Sequence, residues 1–189
     1  MKEARECWAN DQKDMDASKL VFLDETSINI GMTRLYGRAF GGDRVIEYVP
    51  DVRFDRTSLV SSMRLDGTIV PLAFEGTLNG SIFLAYIEQF LAPTLQEGDI
   101  VIMDNLSSHK VKGIEVAIEA RGAYVLYLPA YSPDLNTVEQ MWSKVKAYLR
   151  KSKARTADSL YETLKEALDS ISQSNIEGWF SGCSYSVCF

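Results

Sequence analysis

The sequence predicts an α/β domain in which helices cover both faces of a mixed β-sheet. Two observations lead to this fold class. Short apolar runs of strand length are interspersed with longer segments whose apolar residues recur at helical spacing. A meander of strands in the first half gives way to alternating helices and strands in the second half. The length of 189 residues fits one domain with a sizeable core.

The composition is that of an ordinary globular protein, with 46% hydrophobic and 24% charged residues. No apolar run reaches the roughly 18 residues of a membrane span, and the N-terminus lacks the apolar stretch of a secretory signal. We therefore expect a cytoplasmic protein with no role at a membrane. The chain has one histidine and three cysteines, which supply neither a disulfide framework nor a zinc-ligand set: Cys7, Cys183 and Cys188.

Strands dominate the elements predicted for the first half. Residues 1–18 are polar and charged, and we interpret them as an N-terminal tail or linker ahead of a domain spanning residues 19–180. Residues 19–24 form the first buried strand, followed by a glycine-punctuated loop. Three strands of a meander come next, with Asp66-Gly67 as a tight hairpin turn. These strands are residues 45–49, 57–65 and 68–74.

Helical periodicity begins after the meander. A first helix is closed by Pro93, and a second is expected to begin near Ser107 or Ser108 and to stop at Gly122. Two short apolar strands flank the second helix: residues 100–103 and 124–128. The last two predicted helices begin after the loop at residues 129–136 and after Thr156, and residues 181–189 are assigned to a C-terminal tail.

Three acidic residues stand where these elements begin or end. Asp24 ends the first strand, Asp104 ends the strand at residues 100–103, and Glu139 opens the helix after the loop at residues 129–136. Side chains at the carboxyl ends of strands collect at one edge of an α/β sheet. An all-oxygen cluster of this kind suits Mg²⁺ or Mn²⁺.

Each acidic residue also has a purely structural interpretation. Asp24 fits a turn, Asp104 fits a cap, and Glu139 three residues after Asn136 fits a capping box. The helix that follows favours the metal-ligand interpretation for Glu139. Its face carries Ser143 and then cations, so no partner one turn away neutralises the carboxylate.

A basic strip follows the acidic residues, although the net charge of the chain is −6. Residues 140–157 contain no acidic residue, and such a strip beside an acidic metal site would suit a polyanionic substrate. The alternative is a solvated helix face. The basic residues are Lys144, Lys146, Arg150, Lys151, Lys153 and Arg155.

Four blocks of sequence, in this order, resemble the catalytic domain of the mariner-superfamily DDE transposases, in their bacterial insertion-sequence branch. They are residues 22–26 (FLDET), 36–39 (YGRA), 103–110 (MDNLSSHK) and 128–136 (LPAYSPDLN), the last followed by Glu139. The resemblance runs from about residue 19 to residue 180. It implies a ribonuclease H-like fold with a mixed five-stranded sheet, and metal-dependent cleavage and strand transfer of DNA.

The resemblance also assigns roles to residues and partners. Asp24, Asp104 and Glu139 would be the catalytic residues and would hold two Mg²⁺ (or Mn²⁺) ions per active site. Double-stranded DNA, as transposon ends and target, would be bound by a homodimer in the bacterial cytoplasm at the nucleoid. Predicted DNA contacts come from the basic strip: Lys144, Lys146, Arg150, Lys151 and Lys153. Auxiliary residues are Asn105, Asn136 and His109, although His109 by itself reads as a capping or surface residue.

Two features depart from the family pattern. Thr137 replaces the proline that usually follows the asparagine, with little expected effect at the first position of a helix. The family also places a helix-turn-helix DNA-reading module ahead of the catalytic domain. About 18 residues precede the first predicted strand here, so we expect a separately encoded module, a truncated element or an excised domain. Two alternatives to a transposase follow: a non-catalytic remnant or domesticated domain that binds DNA or a protein, and a stand-alone nuclease.

Overall fold

A five-stranded mixed sheet forms the centre of the protein, in a computed structural model that describes residues 2–50 and 54–187. The strand order is β3-β2-β1-β4-β5, with β1, β2 and β3 antiparallel and with β4 and β5 parallel to β1. The strands are β1 (Leu20–Ile28), β2 (Thr57–Arg64), β3 (Ile69–Glu75), β4 (Ile100–Met103) and β5 (Tyr124–Tyr127). The predicted mixed five-stranded sheet is confirmed.

Helices pack on both faces of this sheet. They are α1 (Lys2–Asp11), α2 (Gly80–Tyr86), α3 (Ile114–Glu119), α4 (Thr137–Ser152), α5 (Ala157–Asp169) and α6 (Gln173–Gly182). Leu20 and Phe22 of β1 join the core formed with α1, α4, α5 and α6, whereas Val21 and Leu23 join the core formed with α2 and α3. Because both faces of β1 are buried along its first part, residues 20–23 form a continuous apolar run. None of the helices in the described ranges is long and apolar enough to cross a membrane.

The N-terminal segment is a packed helix, whereas the sequence was interpreted as giving a tail there. Trp8 of α1 is buried, and its Nε1 donates a hydrogen bond to the Tyr185 hydroxyl at 3.2 Å. Gln12 donates to the carbonyl oxygens of Cys183 and Ser184. Cys183 and Tyr185, in the segment 181–189 assigned as a C-terminal tail, therefore also join the core, and residues 188–189 of that segment lie outside the described residues. A single tryptophan in a polar stretch gives no periodic signal, and its partner lies 177 positions away.

Three local predictions were wrong. Residues 45–49 form an exposed loop outside the sheet, in which β2 pairs with β1 on one side and with β3 on the other. The helix expected from Ser107 starts only at Ile114, after a short 3₁₀ turn at Ser107–Lys110. Helix α6 was not predicted, although Ser172 and Asn175 form a reciprocal cap at its start.

Candidate active site

Asp24 lies inside β1 and does not terminate it. Strand β4 pairs with β1 only as far as Phe22 opposite Ile102, while β1 continues beside β2 to Ile28. Asp24 therefore sits where the neighbouring strand stops, and Asp104 leaves that strand at the same edge. The prediction that the first strand ends at Asp24 was therefore wrong, because β1 continues to Ile28. For the same reason, Asp24 is not a turn residue.

The start of α4 is fixed against β1 by Asn136. The Asn136 side-chain oxygen accepts a hydrogen bond from the Val138 backbone N–H at 3.2 Å, and its Nδ2 donates to the Leu23 carbonyl at 3.4 Å. The Asn136 backbone N–H donates to Pro133, so Glu139 does not complete a capping box. The same cap thus places α4 beside the residue that precedes Asp24.

All three acidic residues line one pocket of about 310 Å³. The auxiliary residues Asn105 and Asn136 line it too, together with Leu106 and the loop after β5. Asp24 forms the buried part of the pocket, Asp104 is half-buried, and Glu139 is exposed. The fold thereby brings Asp24 and Asp104, which are 80 positions apart in the sequence, together with Glu139 in one site.

Asp24 carries a buried carboxylate with little compensation. It is 7% exposed, and its Oδ2 has no hydrogen-bond partner among the described residues. Burial raises the pKa of Asp24 well above its usual value, and the nearby carboxylates of Glu139, Glu25 and Asp104 raise it further. An unpaired buried carboxylate is stabilised by a proton or by a cation.

Glu139 and Lys146 form the second electrostatic feature of the site. Desolvation raises the pKa of Glu139, which the charge of Lys146 partly opposes. Burial lowers the pKa of Lys146, while Glu139 and Asp24 favour its charged form and Arg150 disfavours it. Lys146 therefore stands beside two of the three acidic residues, two helical turns from Glu139.

His109 is fully buried under the pocket, where the sequence suggested a capping or surface residue. Its Nδ1 lies 2.5 Å from Asp104 Oδ1, its Nε2 lies 2.9 Å from Glu25 Oε2, and its ring stacks on Phe83 at 4.2 Å. Burial would lower the pKa of His109, but its bonds to Asp104 and Glu25 raise that pKa to about 10. Sequence reasoning missed Glu25, whose only signal was its place directly after Asp24.

The residues of the basic strip divide into two groups. Lys146 lies near two of the pocket's carboxylates, Arg150 lies near Lys146 one turn further along the helix, and Lys151 is exposed on the last turn. Others have structural partners: Lys144 donates to the Ser170 carbonyl at 2.7 Å and to Asn175, Lys153 pairs with Glu47 at 2.6 Å, and Arg155 donates to the carbonyls of Ile30 and Met32. The structure does not place the whole strip beside the pocket.

The donor set fits a hard divalent cation. It consists of carboxylate oxygens and includes the unpartnered Oδ2 of Asp24. Within the ranges that the structure describes, however, no three His, Cys, Asp or Glu side chains are close enough together to hold a metal ion. One oxygen of Asp104 faces His109, so a cation held by all three acidic residues would require their side chains to move toward one another.

The sequence matches a family model described as "DDE superfamily endonuclease" over residues 19–161. It is 25% identical over 124 residues to the transposable element Tcb2 transposase of Caenorhabditis briggsae, which covers 66% of this chain and 44% of that protein.

Two similar solved structures are complexes of Mos1 transposase. The paired-end complex with the left transposon end has a TM-score of 0.72 at 16% identity, covering 97% of this chain and 60% of that one. The mariner Mos1 paired-end complex with Mg has a TM-score of 0.72 at 18% identity, covering 97% and 59%. These likenesses confirm the predicted ribonuclease H-like fold. The chain spans about half the length of these relatives.

Proposed function

The chain belongs to the DDE superfamily endonucleases, and we propose that it is the catalytic domain of a DNA transposase. It would cleave DNA strands and join the resulting 3′ ends to target DNA. One observation carries the proposal: the three acidic residues that match the family pattern, Asp24, Asp104 and Glu139, line a single pocket. The unpartnered carboxylate oxygen of Asp24 supports a cation-dependent chemistry there.

The proposed chemistry uses two divalent ions. Mos1 paired-end complexes were solved with Mg and with Mn, and two such ions would supply an activated attacking oxygen and stabilisation of the leaving 3′ oxygen. Asp24, Asp104 and Glu139 would hold these ions through their carboxylate oxygens. His109 would orient Asp104 from beneath, because a ligand's hydrogen-bond partner fixes its direction. Lys146 would hold a phosphate at the mouth of the pocket.

The proposed partner is double-stranded DNA. The related Mos1 structures are paired-end and strand-transfer complexes, which supports transposon ends and target DNA as substrates. Lys146, Arg150 and Lys151 are the basic residues best placed for phosphates, and Lys144 and Lys153 would first have to leave their structural partners. A homodimer on DNA and a separately encoded helix-turn-helix module complete the proposal.

The cellular setting stays a prediction. A cytoplasmic location was expected because the sequence shows neither a membrane span nor a secretory signal. Action at a bacterial nucleoid followed from the insertion-sequence branch, which is not confirmed, since the related Tcb2 transposase comes from Caenorhabditis briggsae.

Nicking of supercoiled plasmid DNA in Mn²⁺ tests the proposal directly. The wild-type chain should nick, and Asp24→Asn, Asp104→Asn and Glu139→Gln should each abolish nicking while the far-ultraviolet spectrum stays unchanged. Glu162→Gln, an exposed acid on α5, is the matched control and should nick like the wild type.

A triad variant with wild-type activity would overturn the site assignment. A wild type that does not nick would favour the non-catalytic remnant, and products that are only hydrolysed, followed by a 3′ label, would favour a stand-alone nuclease.

A further inference from the structure

Tyr131 has an unusual backbone for an aromatic residue. Its φ is 58°, in the left-handed region that glycine and asparagine tolerate and that bulky side chains avoid. Its ring is nevertheless 88% exposed, so no packing of the ring in the chain itself explains the strained conformation. Strain of this kind concentrates at binding sites.

The loop around Tyr131 is firmly held. The Arg5 guanidinium donates to Ser132 Oγ at 2.8 Å and to both carboxylate oxygens of Asp134 at 2.9 and 2.6 Å. The Tyr185 hydroxyl donates to the Leu135 carbonyl at 3.0 Å. Helix α1 and the C-terminal segment therefore fix the residues after Tyr131, and the exposed ring is presented by an anchored loop.

The ring stands at the acidic pocket. Tyr131 and Leu106 both line the pocket that contains Asp24, Asp104 and Glu139, from the loops after β5 and β4. Leu106 is 44% exposed. A cation-binding pocket therefore has two apolar side chains at its mouth, and they contribute nothing to holding an ion. They fit a flat apolar group that enters beside a phosphate, which is the chemistry of a nucleobase.

We propose that Tyr131 is a stacking platform for one base of the DNA substrate that has left the duplex, next to the phosphate that is cut, with Leu106 against the sugar or the base edge. The proposal rests on the proposed function, because it needs a nucleic acid in the pocket. Because the loop is already held in place, the base can stack on Tyr131 at no cost of ordering the loop. The stacked base then fixes the position of the adjacent phosphate over the carboxylates.

The test is a double-mutant cycle between the ring and the base. Base stacking tolerates any sequence, so an arbitrary duplex with a single-stranded 3′ extension is the probe, and each extension base is replaced in turn by an abasic site. Binding is measured by fluorescence anisotropy with Ca²⁺ in place of Mn²⁺. At one position, base removal should weaken binding to the wild type and to Tyr131→Phe by about tenfold. Binding to Tyr131→Ala should not change there. Tyr124→Ala, an exposed tyrosine at the other end of β5, is the matched control.

A further variant separates substrate contact from a role in folding. Tyr131→Gly removes the ring and relieves the backbone strain together, so its Tm should rise while its DNA affinity falls. A lower Tm with unchanged affinity would overturn the stacking role.

Two outcomes distinguish this proposal from the function on which it rests. If the wild type nicks plasmid in Mn²⁺ and Tyr131→Ala loses as much affinity on base removal as the wild type at every position, the stacking role fails alone. If the wild type neither binds the probe nor nicks plasmid, the transposase function fails and the stacking role fails with it.

Discussion

Asp24 and His109 are two buried ionisable residues with opposite surroundings. Asp24 has an unpartnered oxygen and three acidic neighbours, whereas His109 lies between two carboxylates. Each arrangement affects folding independently of any catalytic role. They therefore lead to opposite expectations for mutants and for pH.

Asp24→Asn should stabilise the metal-free protein. The pKa of Asp24 is raised in the folded state, so the folded state holds this proton more tightly than the unfolded chain. Stability is therefore lost as pH rises above the usual value of 3.8. Asparagine removes the charge, and the Tm at pH 7 in EDTA should rise by a few degrees, about 2–4 °C for each kcal/mol. Mn²⁺ should then raise the Tm of the wild type and of Glu162→Gln but not that of Asp24→Asn. A lower Tm for Asp24→Asn in EDTA would contradict the unpaired-charge interpretation.

His109→Gln should destabilise the protein most at low pH. The pKa of His109 is raised from 6.5 to about 10, so its contribution to stability is complete below pH 6.5 and is lost as pH rises toward 10. The free energy of unfolding of wild type minus that of His109→Gln should therefore shrink between pH 6.5 and 10. Urea denaturation across this range measures it. A difference independent of pH would mean that His109 contributes through packing on Phe83 and not through its charge.

The position of helix α4 depends both on sequence features within the helix and on contacts with distant parts of the chain. Its apolar stripe and its N-terminal cap could be predicted from the sequence, because both depend on the spacing of residues within about four positions. The contact of Asn136 with the Leu23 carbonyl was not readable, since its partner lies 113 positions away. Helix α1 was missed for the same reason, although its Arg5 anchors the loop beside the pocket. Strands β1 and β4 were predicted because burial on both faces leaves a continuous apolar run.

Thr137→Pro should stabilise α4 at its first position. Thr137 is fully buried, and its hydroxyl has no hydrogen-bond partner in the described part of the chain. Asn136, with φ −98° and ψ 112°, is already near the extended conformation that a residue before proline adopts. The gain should be about 0.4–1 kcal/mol, or roughly 1–4 °C in Tm. Thr137→Val removes only the hydroxyl and should gain less. If the proline variant melts below the wild type, the Thr137 N–H has a role that the structure does not show.

The distribution of charge over the molecule explains which parts of the site could be foreseen. The net charge of −6 and the acidic pocket both repel the phosphates of DNA. In the sequence, the basic strip was the only feature that predicted an attraction to them. Its composition did not reveal that Lys144 and Lys153 have structural partners. Nor could spacing reveal that His109 bridges Glu25 and Asp104, because that contact joins β1 to the turn after β4 across 84 positions. That Asp24, Asp104 and Glu139 share one pocket was predicted, because the end of an apolar run and the start of a helix carry position information that isolated charges lack.

The salt dependence of DNA binding should separate the two groups of basic residues. Each phosphate contact contributes a slope of about −0.9 to the logarithm of the binding constant against the logarithm of salt concentration. Lys146→Gln, near the pocket, and Arg150→Gln, one turn further along α4, should therefore each flatten the slope by about this amount. Lys144→Gln should leave the slope unchanged and lower the Tm, since Lys144 joins α4 to Ser170 and Asn175. Lys165→Gln on the exposed face of α5 is the control and should change neither.

Anisotropy titrations in Ca²⁺ at several salt concentrations measure the slopes. Equal slopes for Lys146→Gln and Lys165→Gln would remove α4 from the DNA-binding surface and leave the acidic pocket without a basic neighbour to position the phosphate.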